Sequence, residues 1–429
     1  MVTDPLDFDR LDYYAEPGLI NDPNPYFEHL RGKGPVVPLP HHDVVAVTGF
    51  DEALTVLNDA ETYSSVNAVT GPFPPFPGGG DADDVGDRIE AWRPELPMKN
   101  QIVTFDQPRH APARSLMLRL FTPSRLKANE AYLWSLSDKL IDRFQKDGKV
   151  EIVGGYGTLY SGMVIADLLG VPEEDRPRFA EQFGGENRLP SVDPEHRGTQ
   201  KNPLLFLHET FAVYLQERRG QPGQDILSEL ANSKFPDGST PELQELVNVA
   251  TFLFGAGQDT TARLLAAAMQ QIAEDPALQD RLRADNGLID DFIEEVLRFE
   301  GPVKTSHRMV RKRTVLGGVP LAPGTHVAMM NGAINRDPRR FDDPRSFRID
   351  RPKNKEHIAF GRGPHTCPGA PLARAETRVS LTRLLSRMGD IRISEAHHGP
   401  PGARRFQHEP IYILRGLEAL HLEFVPIGG

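Results

Sequence analysis

Apolar side chains recur every three or four positions over much of this chain, which is the spacing of helices with one buried face. The segments with the clearest helical spacing are 51–58, 128–144, 160–169, 241–274 and 288–299, and a last long helix is expected to begin at Pro368. Two other segments, 313–330 and 409–426, are rich in Val, Leu, Ile and Tyr and are bounded by Gly and Pro, as strands are. The pattern predicts a mainly α protein with a smaller β-rich part, whose strands come from distant segments.

Two polar stretches interrupt the helical pattern. Residues 71–87 are rich in Pro, Gly and Asp and should form a loop. This loop is either an inert surface insertion or a flap over a binding site, because Phe73 and Phe76 lie in it and Trp92 follows it. Residues 184–205 form a second polar break that contains Pro and Gly.

Composition and charge argue against several classes of protein. The net charge is −11 and Lys and Arg form no run, so nucleic acid is not an expected partner. The most apolar stretch, 246–257, is too short to span a bilayer, and residues 1–5 do not resemble the start of a signal peptide. A single cysteine excludes an internal disulfide and agrees with a reducing compartment, so we expect a cytoplasmic protein.

The sole cysteine, Cys367, lies in a segment suited to bind a metal through a thiolate. Glycines, which let the backbone approach a flat group closely, stand at positions 361, 363 and 369. Pro368 suits the first turn of a helix, whose free N–H groups would lower the pKa of the thiol, and Phe360 can shield the sulfur from water. A lone cysteine is more often a small buried apolar residue, but that interpretation does not explain the flanking pattern. A zinc site would need further cysteines.

The stretch FGRGPHTCPGAPLAR, residues 360–374, resembles the haem-binding loop of the cytochrome P450 family. The resemblance implies haem b held without covalent attachment, with Cys367 as the axial ligand of the iron and with Phe360, Gly361 and Gly369 against the macrocycle. No C-x-x-C-H motif for covalent haem is present, which agrees. The resemblance also implies the P450 fold, in which a single domain over residues 1–429 carries a long central helix over the haem.

The middle of the segment 241–274 reads AGQDTT from Ala256 and resembles the oxygen-activation motif of the same family. An acid followed by an alcohol suits a proton relay, and Thr260 can also bond its own backbone within the helix. By the resemblance, Ala256 and Gly257 adjoin the haem, Thr260 positions the oxygen ligand, and Asp259 supplies protons. Cleavage of the O–O bond consumes such protons, and a cysteine thiolate favours that cleavage from the opposite side of the haem.

Glu295 and Arg298 are three positions apart on one predicted helix and can form an ion pair. The same spacing occurs elsewhere in the chain, so the pair is assigned to folding by its resemblance to the structural ion pair of the family. The family completes this pair with an arginine at a position where this chain has Ser346. Arg345 and Arg348 are the candidate replacements, and the sequence does not choose between them.

Carboxylates of the haem need cations or strong donors. By resemblance, these donors are His110, Arg114, Arg308 and His365. Each of them taken alone would be a solvated surface residue, so the prediction depends on their arrangement as a set.

The resemblance further implies an apolar pocket on the oxygen side of the haem, which suits a small lipophilic ligand. The expected wall residues are Phe73, Phe76, Trp92, Phe252, Val303, Ile411 and Ile413. Lys304 departs from this apolar character. Its ammonium group either meets a carboxylate of the substrate or points to solvent, and we expect solvent.

Electrons must come from another protein, because the chain has no G-x-G-x-x-G segment and no further cysteines for an iron–sulfur cluster. The resemblance implies a separate ferredoxin and ferredoxin reductase. A basic patch for an acidic ferredoxin is predicted at Arg109, Arg119, Arg125, Lys127 and Arg362.

The combined motifs predict a haem-thiolate monooxygenase that uses O2 and two electrons to oxidise a fatty acid, terpenoid, steroid or aromatic compound. A peroxide-dependent haem enzyme is a second interpretation, which Asp259 and Thr260 argue against. A haem-binding sensor or carrier without turnover is a third, and it would need neither a proton relay nor a shaped apolar pocket. The sequence does not identify the substrate or the site of its oxidation.

Overall fold

The computed structural model describes residues 7–78, 82–118, 120–183, 203–221 and 223–428. About half of the chain is helical, and the sheets are small, which confirms the predicted mainly α fold with a smaller β part. The helices are α1 Gly18–Asn21, α2 Asn24–Lys33, α3 Phe50–Asn58, α4 Gly86–Trp92, α5 His110–Leu118, α6 Pro123–Ile141, α7 Leu159–Leu169, α8 Arg176–Phe183, α9 Pro203–Arg218, α10 Ile226–Ala231, α11 Leu243–Glu274, α12 Pro276–Ala284, α13 Ile289–Glu300, α14 Asn331–Ile334, α15 Ala370–Arg387 and α16 Glu395–His398. The strands are β1 Val36–Pro38, β2 Val44–Val47, β3 Tyr63–Ser64, β4 Lys149–Glu151, β5 Ser306–Val310, β6 Thr314–Leu316, β7 Val319–Leu321, β8 His326–Met329, β9 Met388–Ile393 and β10 His421–Pro426.

The strands form sheets from distant parts of the chain, as the sequence predicts. A five-stranded sheet has the order β1-β2-β8-β5-β3, and only its β2–β8 pair is parallel, with Val44 opposite His326. A three-stranded antiparallel sheet has the order β4-β10-β9, and β6 pairs with β7. The five-stranded sheet places Arg308, on β5, beside the loop that contains Ser65, because β3 is the neighbouring strand.

Helix α11, 32 residues long, is the central element of the main core. It begins at Leu243 rather than at the predicted residue 241, because Glu242 and Glu245 cap each other's backbone N–H groups there. Helices α7, α9, α13 and α15 pack against it. None of the helices in the described residues is long and apolar enough to cross a membrane.

Other predicted boundaries are wrong as well. The second predicted helix, 128–144, begins earlier, at Pro123, and ends at Ile141. The last long helix begins at Ala370 rather than at Pro368, because residues 367–369 still belong to the turn around the cysteine. In the segment 409–426 only β10 is a regular strand, and residues 409–417 make just two isolated bridges, Val303 to Leu414 and His408 to Leu417. Most of the polar break 184–205 lies outside the described residues.

The Glu295–Arg298 ion pair is present, at 2.7 Å and with both side chains fully buried. Neither predicted replacement supplies a third side chain. Arg345 pairs with Glu28, and Arg348 reaches Glu295 only through its backbone N–H group. The third partner is Arg351, whose Nε lies 3.2 Å from Glu295 Oε2. The carbonyl of Ser346 accepts hydrogen bonds from Arg298 and from Arg351, so the serine position contributes its backbone to the network.

Candidate active site

A tight turn holds Cys367 at the start of α15. The N–H group of Cys367 donates to the carbonyl of Phe360 at 2.9 Å, which closes the turn. Gly361 has φ +67° and Gly363 has φ +69°, conformations that favour glycine. A Cβ atom at Gly363 would also lie 2.2 Å from the carbonyl oxygen of Leu57, so this position needs glycine for packing as well. The predicted local role of the glycines is therefore visible in the geometry.

Opposing effects act on the sulfur of Cys367. Burial raises the pKa of the thiol, and the backbone N–H groups of Gly369 and Ala370, with the cation of Arg114, lower it. Burial is the largest effect, so the pKa of the thiol is raised. The position at the helix end had predicted a lowered pKa. A thiolate at this position therefore needs a positive partner, and a bound metal cation deprotonates a thiol that coordinates it.

The four predicted carboxylate-binding side chains come together near the cysteine turn. The rings of His110 and His365 lie 4.1 Å apart between centroids, and Arg114 donates to the carbonyl of Thr366. Burial, together with the positive charges of nearby arginines, lowers the pKa of His110 to about 4 and that of His365 to about 2. Burial likewise lowers the pKa of Arg308 to about 10. His110 and Arg308 are buried, Arg114 and His365 are partly buried, and Asp106 is the acid that acts on Arg308.

These residues fit a haem group on two observations. His110 Nε2 is buried and has no hydrogen-bond partner in the described part of the chain, so it is an available donor for a carboxylate. Ala256 is exposed and Gly257 partly exposed although they lie in the middle of the core helix α11, so the helix presents bare backbone there. Cys367 would hold the iron, and His110, Arg114, Arg308 and His365 would bind the carboxylates of such a group.

The side chains of Thr260 and Asp259 both form hydrogen bonds with other residues of helix α11. The Thr260 hydroxyl donates to the carbonyl of Ala256 at 2.7 Å, which confirms that it bonds the backbone of its own helix. Asp259 Oδ2 accepts from Arg263 Nε at 2.9 Å, one helical turn further along α11. Arg263 Nη2 also donates to Glu409 Oε2 at 2.5 Å, so the acid of the motif belongs to a three-residue ion network.

Arg263 and Glu409 were not predicted as site residues, although Asp259 and Arg263 have the spacing of an i, i+4 pair. Glu376, a carboxyl on α15 with 3% exposure, was not predicted either. Burial raises the pKa of Glu376 well above its ordinary value, and a hydrogen bond with Thr261 offsets only part of this rise. A buried carboxyl group with a raised pKa therefore lies beside Thr261, within the motif on α11.

The predicted pocket residues lie in several groups, of which those with Phe73 and Val303 contact the C-terminal segment. Phe76 and Trp92 pack edge to face with centroids 5.2 Å apart, and Phe73 lies 6.5 Å from Tyr412 in the C-terminal segment. Val303 bridges to Leu414, and the next residue donates its N–H group to the carbonyl of Ile413 at 2.9 Å. Ile411, on the same segment, is 7% exposed, and Phe252 on α11 is partly buried against the main core. The loop after β3, the strand entry before β5 and the C-terminal segment thus adjoin one another.

Lys304 does not point to solvent as expected, because it is only 4% exposed. Burial, together with the positive charges of Arg415 and Arg263, lowers its pKa to about 7. Within the described residues no acidic side chain pairs with it. The lysine therefore carries a buried amino group with a lowered pKa next to the proposed pocket wall.

The predicted basic patch is smaller than expected. Arg125 is paired with Glu229, and Arg362 donates to backbone carbonyls such as that of His357. Arg109 lies over the ring of Phe105 at 3.9 Å, and Lys127 is exposed. Arg119 lies outside the described residues.

A cysteine at the start of α15, an acid–alcohol pair in the middle of α11, which packs against α15, and carboxylate donors beside the cysteine are together typical of a haem-thiolate protein. Residues 195–388 match the family model described as Cytochrome P450. The monooxygenase PikC of Streptomyces venezuelae is 32% identical, over 94% of this chain and 91% of its own. Cytochrome P450 144 of Mycobacterium tuberculosis is 32% identical, over 88% and 85%.

Solved structures agree with these sequence relatives. Substrate-free CYP150A6 of Mycobacterium marinum has 49% identity and a TM-score of 0.92, over 98% of this chain and 100% of that one. The chain belongs to the cytochrome P450 family. It is a P450 monooxygenase with a haem cofactor, which acts on lipophilic substrates with O2 and a redox partner.

Proposed function

We propose that this P450 binds haem b and takes two electrons from a separate ferredoxin and its reductase to hydroxylate or otherwise oxidise a small lipophilic molecule. The observation that carries the proposal is the placement of the Asp259–Thr260 pair on the central helix, with its hydroxyl anchored at Ala256. The haem supplies the reduction and activation of O2 when bound. Asp259 holds and releases a proton at its carboxyl group, and the Thr260 hydroxyl orients the acceptor of that proton.

The wall residues support a lipophilic substrate. Phe76 packs against Trp92, Phe73 lies near Tyr412 and Val303 bridges to Leu414, so the expected wall residues combine aromatic and aliphatic side chains. CYP109E1 of Bacillus megaterium, 28% identical, is described in complex with corticosterone and with testosterone. P450BioI, 25% identical, is described in complex with hexadec-9Z-enoic acid ligated acyl carrier protein. Steroids and fatty acids are therefore the first substrates to test, ahead of terpenoids and aromatic compounds.

The proposal includes a cytoplasmic location and non-covalent haem, because the single cysteine is the iron ligand and leaves none for attachment or for disulfides.

Arg109 and Lys127 remain as the exposed cations of the predicted ferredoxin patch. If Arg109→Glu and Lys127→Glu together leave both the rate of reduction and its salt dependence unchanged, ferredoxin does not dock there.

The test of the iron ligand is the absorption spectrum of dithionite-reduced protein under carbon monoxide, for the wild type and for Cys367→Ala. A strongly red-shifted Soret band in the wild type that is lost in the variant supports the assignment. A band at the position of histidine-ligated haem contradicts it. Coupling of substrate-dependent NADPH consumption to product, with surrogate partners, then separates this function from a peroxide-driven enzyme and from a sensor without turnover.

A further inference from the structure

Two carboxylates share one guanidinium group beside the proposed proton relay. Arg263 binds Asp259 at 2.9 Å through Nε and Glu409 at 2.5 Å through Nη2. The three side chains are 6%, 19% and 14% exposed for Arg263, Asp259 and Glu409. The trio carries one positive and two negative charges, so the two acids compete for the same cation in a place where water screens them little.

The guanidinium group of Arg263 is closely packed and incompletely hydrogen-bonded within the described residues. Its Nη1 is buried and has no hydrogen-bond acceptor within the described residues. A Cβ atom at position 416 would lie 2.3 Å from Nη1, so Gly416 provides the space that the guanidinium occupies. Burial works against the charge of Arg263, but the two carboxylates outweigh it and raise the pKa, so the guanidinium stays charged.

Glu409 belongs to the same closed turn as the C-terminal pocket wall. Its N–H group donates to the carbonyl of Gly416 at 3.1 Å, and His408 bridges to Leu417. Ile411 and Ile413 lie inside this turn, and Ile413 accepts from the backbone of Lys304. A ligand that displaces these isoleucines therefore also displaces the carboxylate that competes with Asp259.

We propose that Glu409 is a positioning residue that sets how tightly Arg263 holds Asp259, and that it thereby links substrate contact at residues 409–416 to proton supply. The inference rests on the proposed function, because it assumes that Asp259 supplies protons. When Arg263 turns toward Glu409, the Asp259 carboxylate takes a proton from a hydronium ion of the solvent, so that one O–H bond of the hydronium breaks, the carboxyl O–H bond forms and neutral water is left. The carboxyl group then gives that proton to the acceptor that the Thr260 hydroxyl orients, and the carboxylate returns to the ion pair. The positive charges of Arg263 and Arg415 both act on Lys304, so that amino group is a neighbour of the network.

The test follows the Asp259 carboxyl by infrared spectroscopy of the ferric holoenzyme as pH is varied, with the band assigned by its loss in Asp259→Asn. In Glu409→Gln, Arg263 binds Asp259 alone, so the midpoint of its protonation should fall by about one pH unit, a tenfold change in proton affinity. In Arg263→Met the midpoint should rise. Glu418→Gln, at an exposed position in the same segment, is the matched control and should change nothing. An unchanged midpoint in Glu409→Gln would overturn the proposal.

A second readout is the share of NADPH electrons that reach product rather than peroxide, with its solvent isotope effect. Glu409→Gln should lower that share and enlarge the isotope effect, and Glu409→Asp, which keeps the charge, should restore most of both. If Glu409→Gln does not bind haem, Arg263→Met replaces it in the infrared titration, and a midpoint equal to that of the wild type in that variant contradicts the proposal. Failure of the proposed function itself would appear differently, as a wild type without a red-shifted carbon monoxide band or without O2-dependent product.

Discussion

Two buried arginine–carboxylate networks in this P450 have opposite ratios of charge. Around Glu295, two guanidinium groups, those of Arg298 and Arg351, bind one carboxylate with no exposed surface. Around Arg263, two carboxylates bind one guanidinium group, and their side chains keep 14–19% of their surface exposed. Both networks join distant segments, yet only the second one adjoins the proposed proton relay.

In the first network, around Glu295, the guanidinium N–H groups have hydrogen-bond acceptors. Arg298 donates to the carbonyls of Asn335 and Pro344 in addition to Glu295, and Arg351 donates to the carbonyl of Asp343. The second network leaves Arg263 Nη1 without an acceptor in the described residues and leaves two acids in competition. A fully satisfied buried network has one stable arrangement, whereas an incompletely satisfied one can change partners. The contrast suits a structural role for the first network and a functional role for the second.

The largest expected effect comes from breaking the Glu295 network. Glu295→Gln leaves two buried guanidinium groups without their counter-charge and should reduce the free energy of unfolding by about 3–5 kcal/mol. Glu90→Gln removes an ion pair of the same spacing, but Glu90 is 59% exposed, so the loss should be below about 1 kcal/mol. Denaturant unfolding and haem content measure both variants. Equal losses would mean that burial does not distinguish the two pairs.

The next effect tests which arginine completes that network. Arg351→Met should reduce the free energy of unfolding by about 2 kcal/mol, because several buried carbonyls lose their donor along with Glu295. Arg345→Met should cost below about 1 kcal/mol, because Arg345 is 75% exposed in its pair with Glu28. Denaturant unfolding of both variants measures the two losses. A larger loss for Arg345→Met would mean that Arg345, not Arg351, is the third partner.

Lys304, a cation near the second network, should make stability depend on pH. Its folded-state pKa, about 7, lies below the ordinary value of 10.5, so the unfolded chain binds more protons between these values. Stability therefore rises with pH across that window. Relative to Lys304→Met, the wild type should gain about 1 kcal/mol per pH unit from pH 7 to pH 10. Parallel stability curves for the two proteins would show that Lys304 is not desolvated.

The smallest effect should come from the second network itself. Glu409→Gln leaves Arg263 paired with Asp259 at 2.9 Å, so the free energy of unfolding should fall by about 1 kcal/mol or less. Unfolding of the holoenzyme, beside that of Glu295→Gln, makes the comparison direct. A loss as large as that of Glu295→Gln would make the Arg263 network structural too.

Local features of this protein could be predicted from sequence, because the residues that create them are neighbours in the chain. The cysteine turn depends on glycines within a few positions of Cys367, and the hydroxyl of Thr260 bonds a carbonyl one helical turn away. The amphipathic spacing similarly indicated the core helices, with errors at their ends, where capping by residues such as Glu242 decides the boundary.

Features that depend on distant partners could not be predicted. Lys304 is buried where its backbone N–H group donates to the carbonyl of Ile413, more than a hundred positions later. Arg351 reaches Glu295 because the intervening loop turns back with the carbonyl of Ser346 between the two arginines. The strand-like composition of 409–417 reflects buried side chains, but the backbone there makes bridges rather than a continuous ladder.

The parallel pairing of β2 with β8 has a consequence for how the chain is made. Val44–Val47 must wait for His326–Met329, which the ribosome adds roughly 280 residues later, on the order of tens of seconds at usual rates of synthesis. Until then one edge of the β1–β2 hairpin has no partner within the chain. The five-stranded sheet, and with it the position of Arg308 on β5, is therefore completed late, after the sequence of the central helix has already emerged.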